Sequence, residues 1–222
     1  MGKELPILFN ADMVRAILDD IKGCTRRAVK GFIPNDAKWG YTIFTPKGHI
    51  SCRGMYKDGY DEKFFKLPCE KGDILYVRET TWQMTAHSLE VDGETRGYFL
   101  PNFRYVATDT KPEVGWDYSW VKRPSIHMPK EAARIFLKVT DVRVERLQDM
   151  NLDDFLSEGT SLLPEAFNDP ENAYMQTKSL FVDLWDSTIN TQKRTLYGWD
   201  ANPWVWVIEF KRYEKPKEET NA

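Results

Sequence analysis

The chain has 222 residues, 41% of them hydrophobic and 14% aromatic, which is enough to bury a core in one large or two small domains. Its formal net charge of −3 argues against a protein that coats long nucleic acid regardless of sequence, because such proteins carry a broad basic surface. No apolar run reaches membrane-spanning length, so we expect no membrane partner and a cytoplasmic location.

The cysteines and histidines do not predict a disulfide framework or a metal site. Cys24, Cys52 and Cys69 are odd in number and widely spaced, which is typical of a cytosolic protein. The three histidines show no metal-ligand spacing, and there is no GxGxxG or P-loop sequence. We therefore expect no metal and no cofactor.

The first predicted elements are a short strand, Pro6–Phe9, and an amphipathic helix that begins after Asn10. Gly23 is predicted to end this helix as a left-handed cap. Four polar residues lie at that end, where basic side chains are favourable next to the negative end of the helix dipole. They are Lys22, Thr25, Arg26 and Arg27.

Strands and turns are predicted through the middle of the chain. A hairpin is expected from Tyr41–Phe44 and His49–Cys52, and a further strand from Ile74–Thr80. Residues 81–130 are rich in aromatic side chains, glycine and proline, and we interpret them as a long irregular excursion with a short strand at Phe103–Ala107. Loops of that length in a compact domain are usually functional or partly disordered.

The C-terminal half predicts two strands and two helices. A polar tail at 214–222 is expected to be disordered. Glu158 ends the shorter helix, where an acid opposes the dipole by about a few tenths of a kcal/mol. The strands are Arg134–Arg143 and Trp204–Arg212; the helices are Asn151–Glu158, closed by Gly159, and Pro170–Ile189. This order of elements predicts an α+β protein with a small, mostly antiparallel barrel.

Four blocks of the sequence resemble the ASCH family of PUA-like β-barrels. They are ILDDIKGCTRR, KGDILYVRET, FLKVTDVRVERLQDMNLDDFLSEG and WVWVIEFKR. The resemblance covers about half of the chain and implies one ASCH-type domain over 1–213, with flanking helices and two long insertions at 31–70 and 81–130. The whole chain also looks like larger ASCH-like proteins of bacteriophage and prophage genomes, which implies a bacterial or phage-infected host cell.

Within that family, the chain is similar to small bacterial N4-acetylcytidine amidohydrolases. Their catalytic Lys and Thr lie in an IL-x-x-x-K-x-x-T-x-R block that Lys22, Thr25 and Arg27 match, and an ungapped comparison places their catalytic Glu at Glu158. The resemblance implies hydrolysis of an acylated nucleobase or nucleoside by a Lys22–Thr25–Glu158 triad. A Thr hydroxyl needs a neighbouring base to become a nucleophile, and a nearby Lys can serve as that base.

Five further residues are predicted to bind the substrate, a modified nucleoside or short RNA: Arg26, Arg27, Arg78, Glu79 and Trp82. Two other interpretations stay open. The same residues would suit a non-catalytic RNA-binding or nucleotide-binding module, and Lys22 with Glu158 would suit a ribonuclease. Each residue also has a structural interpretation, since Lys22 and Glu158 can form an ion pair and an aromatic residue is most often part of a core. The sequence leaves the oligomeric state open.

Overall fold

The structure is a computed structural model that describes residues 2–86, 98–160 and 169–214. In these residues eleven strands and four α-helices are joined by loops and short 3₁₀ turns, which confirms the predicted α+β class. The described strands form open sheets and no closed barrel, so the predicted barrel is not confirmed. The predicted tail lies outside the described residues except for Glu214.

In chain order the elements are β1 (Glu4–Leu8), α1 (Ala11–Leu18), β2 (Cys24–Ala28), β3 (Lys38–Gly40), β4 (His49–Tyr56), β5 (Gly59–Lys66), β6 (Ile74–Arg78), β7 (Thr81–Ala86), β8 (Tyr98–Tyr105), β9 (Tyr118–Arg123), β10 (Phe136–Arg146), α2 (Leu152–Ser157), α3 (Pro170–Thr188), α4 (Arg194–Tyr197) and β11 (Trp204–Arg212). The chain divides into two compact units. The first comprises Met1–Lys3, Ile21–Asp73 and Lys138–Lys211, and the second comprises Glu4–Asp20, Ile74–Leu137 and Arg212–Ala222.

The first unit is built on β10, β11 and β2, which are successive neighbours in one sheet. β11 and β2 are antiparallel, from Val205 opposite Ala28 to Glu209 opposite Cys24. Helices α2 and α3 pack against each other and bury an aromatic core that includes one face of β11. The core residues are Leu147, Met150, Phe155, Phe181, Trp185, Trp199, Val205 and Val207.

A second sheet in the first unit has the order β3-β4-β5. The prediction of a strand at Tyr41–Phe44 was wrong: the strand is three residues earlier. The backbone N–H of Thr45 donates to Thr42 O, and the backbone N–H of Thr42 donates to the Thr45 hydroxyl, so these two residues close a turn instead. Strand β5 was not predicted, because its consecutive charged residues do not show the alternation of apolar and polar side chains that is typical of a strand.

The second unit contains α1 and the parallel pair β1 and β6, with Glu4 opposite Ile74. Asn10 caps α1 as predicted, since its side-chain oxygen accepts a hydrogen bond from Met13 N. The prediction that Gly23 ends the helix was wrong. Helix α1 ends at Leu18, and Asp20 takes the left-handed conformation with φ 55°.

The described parts of this stretch, residues 81–86 and 98–130, are not an irregular excursion, contrary to the prediction. They supply a three-stranded antiparallel sheet of order β8-β7-β9 in the second unit. Trp82 of β7 lies opposite Arg104 of β8 and Lys122 of β9. The frequent Gly, Pro and Asp residues of this stretch interrupt the two-residue alternation by which strands are recognised in a sequence.

Helix α2 depends on a capping box, and this yields a stability prediction. The Asn151 side chain accepts a hydrogen bond from Asp154 N, and the Asp154 side chain accepts one from Asn151 N, both at 3.0 Å. Asn151→Ala removes the first bond and should lower the free energy of unfolding by about 1 kcal/mol. Urea denaturation measures this change. Asp153→Ala, an exposed acid in the same turn, should change stability by only about a few tenths of a kcal/mol; equal effects would contradict the role of the cap.

Candidate functional site

Lys22 and Glu158 meet inside the first unit, although they are far apart in the sequence. Lys22 Nζ lies 2.7 Å from Glu158 Oε2 and 2.6 Å from the backbone oxygen of the same residue. The side chains are 0% and 5% exposed, respectively. Charges removed from water to this degree are tolerated only when they are paired and hydrogen-bonded.

Backbone contacts place the two side chains together. Helix α2 ends at Ser157, Glu158 is its C-cap, and Gly159 follows with φ 95°, so the glycine closes the helix as predicted. Gly23 N donates to Ser157 O at 2.9 Å, while Gly23 O accepts from Phe210 N at 2.9 Å. Gly23 is thus held between the end of α2 and β11, and this brings its neighbour Lys22 to Glu158.

Arg26 joins the pair through its guanidinium group. Its Nη1 lies 3.3 Å from Glu158 Oε1, and its Nη2 lies 2.7 Å from Asp154 Oδ1. The carboxylate of Glu145 is 3.6 Å away, and the Arg26 side chain is 0% exposed. We call Lys22, Arg26, Asp154 and Glu158 the buried charge cluster.

Asp154 and Glu145 were not predicted as site residues. Asp154 has an obvious local role as an acid in the first turn of α2, which concealed its contact with Arg26. Glu145 alternates with apolar residues on β10 and resembles an ordinary solvated strand position. One sequence feature pointed to the cluster: Glu158 is an acid at the negative end of a helix dipole. In the structure its carboxylate contacts two buried cations, Lys22 and Arg26.

Thr25 and Arg27 lie on β2, on either side of Arg26. Thr25 is 2% exposed. Because neighbouring side chains of a strand point to opposite faces, Thr25 and Arg27 project away from Cys24 and Arg26. Burial lowers the pKa of the Arg27 guanidinium, and the Glu158 carboxylate opposes this shift, so Glu158 is within electrostatic reach of Arg27.

The position of β2 brings its residues to Glu158. Among the described strands, β2 is the last in the order of its sheet, and α2 packs against it. Lys22 and Arg26 contact Glu158 directly, and Arg27 interacts with its carboxylate electrostatically.

A cavity of about 280 Å³ lies on the Cys24 face of β2. Cys24 and Asp154 connect it to the cluster, because both contact Arg26. A substrate attacked by Thr25 would approach from the other face of the strand. The cavity is lined by Gly23, Cys24, Thr140, Arg143, Asp154, Ser157, Glu209, Phe210 and Lys211.

The remaining predicted residues belong to the second unit and have partners there. Arg78 donates from Nε to Met128 O at 2.8 Å and from Nη2 to Ile126 O. Both carboxylate oxygens of Glu79 accept from Arg134, at 2.9 and 3.0 Å. Trp82 is half-buried in the β8-β7-β9 sheet. Arg78 and Glu79 hold their own unit together, and their predicted binding role stays a prediction.

The buried pair predicts strong energetic coupling between Lys22 and Glu158. Removing one partner of a buried pair costs about 3–5 kcal/mol, whereas removing both costs less than the sum, since no charge is left unpaired. We expect this pattern for Lys22→Met, Glu158→Leu and the double variant in urea denaturation. The exposed pair Lys3–Glu70, changed in the same way, should show a coupling energy below about 1 kcal/mol. Equal coupling in the two pairs would show that Lys22 and Glu158 are not a buried pair.

The thiol of Cys24 provides a test of burial at the cluster. Burial raises the pKa of this thiol from its ordinary 9.0 to about 12, Glu158 adds to the shift, and Arg26 and Lys22 oppose it. Burial likewise raises the pKa of Cys69 to about 12. Native protein at neutral pH should therefore react slowly with a thiol reagent, and denatured protein should react quickly.

The same shifts predict the sign of a pH effect on stability. Above the ordinary thiol pKa of 9.0 the unfolded chain loses these protons while the folded chain keeps them until about 12. Stability should therefore fall as pH rises through that window. Cys24→Ala should reduce the slope, measured by urea denaturation over that range; an unchanged slope would contradict the burial of an intact thiol.

Comparison of the chain with family models, curated proteins and solved structures finds no match. In the described residues, no helix combines the length and the apolar character needed to cross a membrane.

Proposed function

We propose that the chain is an amidohydrolase that removes an acyl group from the exocyclic amine of a cytosine base, with N4-acetylcytidine as the first substrate to test. The observation that carries the proposal is the 2.7 Å contact between Lys22 Nζ and Glu158 Oε2. The ASCH resemblance named these two residues and Thr25 together. A PUA-like barrel of the ASCH type is part of the same proposal.

The proposed chemistry uses Thr25 as the nucleophile. As the Thr25 oxygen bonds to the acyl carbon, its hydroxyl proton passes to Lys22, which hands one of its own protons to the Glu158 carboxylate. The C–N bond then breaks, and the nitrogen leaves as the free cytosine amine with the proton delivered through Lys22 and Glu158. Water next attacks the Thr25 ester, releases the acid and returns the hydroxyl. The direct Lys22–Glu158 hydrogen bond supports this proton path.

The two arginines have different proposed roles. Arg26 contacts Glu158 and Asp154 and so positions the carboxylate without touching the substrate. Arg27 shares its strand face with Thr25, where a cation would stabilise the negative oxygen that forms when the carbonyl is attacked. We therefore assign Arg27 to the substrate and Arg26 to the positioning of Glu158.

Burial favours a small substrate over a polymer. The side chains of the triad are removed from solvent, since Lys22, Thr25 and Glu158 are 4%, 2% and 5% exposed. A free nucleoside fits such a site better than an RNA chain. The engagement of Arg26 by carboxylates and of Arg78 by backbone oxygens also speaks against a module that uses these arginines to grip phosphates.

Turnover of N4-acetylcytidine, read by its ultraviolet shift to cytidine, tests the proposal. Lys22→Met, Thr25→Val and Glu158→Gln should each lower kcat by about 10²-fold or more. Thr25→Val keeps the shape of the side chain and removes its hydroxyl, whereas Thr25→Ser keeps the hydroxyl and should retain activity. Lys57→Met, an exposed position in the same unit, is the matched control and should leave kcat unchanged.

Two results would contradict the proposal. Full activity of Thr25→Val would exclude Thr25 as the nucleophile. An inactive wild-type protein, tested with a series of acylated cytosines, would exclude the reaction. Cleavage of a short RNA that is lost in Lys22→Met would instead favour the ribonuclease, in which Lys22 and Glu158 act as acid and base.

A further inference from the structure

The β8-β7-β9 sheet of the second unit has one face on which aromatic and basic side chains alternate. Residues opposite one another on paired strands share a face, so the register groups them. Trp82 lies opposite Arg104 and Lys122, Met84 lies opposite Trp120, and Ala86 lies opposite Tyr98 and Tyr118. We call this set of side chains the aromatic face: Trp82, Met84, Tyr98, Arg104, Tyr118, Trp120 and Lys122.

The aromatic rings of this face are accessible. Tyr98 and Tyr118 are 56% and 37% exposed, and Trp82 and Trp120 are half-buried. On the opposite face, Tyr105 at the end of β8 packs against other residues of the second unit. There the Tyr105 hydroxyl donates to Ala132 O at 2.9 Å, and the guanidinium carbon of Arg134 lies 3.9 Å from the Tyr105 ring centre.

Cations accompany these rings. The Nζ atoms of Lys111 and Lys122 lie 5.9 and 5.8 Å from the centre of the Trp82 ring. Both lysines are exposed, and so is Arg104. The strand positions that form the face carry no acidic side chain among the described residues. The surface is therefore locally basic, although the whole chain has a net charge of −3.

A cavity of about 580 Å³ opens beside the rings of Tyr118 and Trp120. Arg104 and the loop that follows β8 complete its lining. Two acids of that loop, Asp109 and Glu113, face the cavity. The Asp109 carboxylate accepts hydrogen bonds from the backbone N–H of Tyr105 and from the hydroxyl of Thr108. The Glu113 side chain is exposed, and its carboxylate can accept a hydrogen bond from a ligand.

We propose that the aromatic face binds single-stranded RNA, with its rings stacked on unpaired bases and with Arg104, Lys111 and Lys122 contacting phosphates. Successive side chains on one strand face are about 6.6–6.8 Å apart, so Tyr118, Trp120 and Lys122 form a regular row for consecutive nucleotides. Base stacking needs unpaired bases and tolerates any sequence. Glu113 supplies an acceptor for a ribose 2′-hydroxyl, which DNA lacks.

This surface goes beyond the proposed amidohydrolase and does not depend on it. None of its residues belongs to the buried charge cluster, and the test measures binding without turnover. A failed RNA-binding assay would leave the amidohydrolase proposal standing, and an inactive triad would leave the RNA surface standing.

Fluorescence anisotropy with the full chain and a labelled oligouridylate of about ten nucleotides tests the inference. Trp82→Ala and Trp120→Ala should each weaken binding about 5- to 100-fold, since each removes a stacking platform. Val121→Ala, on the other face of the same strand, is the control and should bind as the wild type does. Thymidylate DNA of equal length and duplex RNA should both bind more weakly.

Two further variants keep the test valid if a tryptophan variant fails to fold. Lys122→Gln should reduce the salt slope of binding by roughly 0.7, whereas Lys57→Gln in the other unit should not. A Cβ on Gly115 would lie 2.3 Å from Cε1 of the Tyr118 ring, so Gly115→Ala must displace that ring and weaken binding. Gly40→Ala, where a Cβ meets nothing within 4 Å, is its control.

Three results would overturn the inference. They are no binding of the single strand at low salt, equal weakening by Val121→Ala and Trp120→Ala, and DNA or duplex RNA bound as tightly as single-stranded RNA. The first would leave the exposed rings without a nucleic-acid role. The second would mean that the aromatic face is not the contact surface. In the third case, equally tight binding of DNA would remove the proposed ribose contact, and equally tight binding of duplex RNA would mean that phosphate charge alone drives binding.

Discussion

The burial of the Lys22 and Glu158 charges is the constraint on which the first unit depends. Removing either ion from water is unfavourable by several kcal/mol, and only its partner and further hydrogen bonds compensate for that loss. The compensation here is specific: Lys22 reaches both the carboxylate and the backbone oxygen of Glu158, and Arg26 reaches the other carboxylate oxygen. Helix α2, the β2 edge and Gly23 must therefore all keep their positions.

Local chemistry could be predicted from the sequence wherever a residue acts on its immediate neighbours. The Asn10 and Asn151 caps, the turn at Gly159 and the β11 strand are of this kind, and the structure confirms them. Strands that depend on distant partners were harder to predict. The turn at Thr42 and Thr45 displaced one strand, and the charged residues of β5 concealed another.

The candidate site shows the same division between local and distant information. The conflict between Glu158 and the dipole of its helix was visible in the sequence, and the buried cations explain why the conflict is tolerated. The contact of Arg26 with Asp154 was not visible, because it joins residues 128 positions apart. Placing Lys22 at a helix end was also wrong, since the helix stops at Leu18 and Lys22 lies in the connection to β2.

Lysine acylation of the native protein, followed by mass spectrometry of its peptides, tests the burial of Lys22 most directly. We predict that Lys22 stays unmodified under conditions that fully modify the exposed Lys57, and that denaturant makes both equally reactive. Modification of Lys22 at the rate of Lys57 in the native protein would contradict the buried pair. It would also remove the geometric support for the proposed proton path.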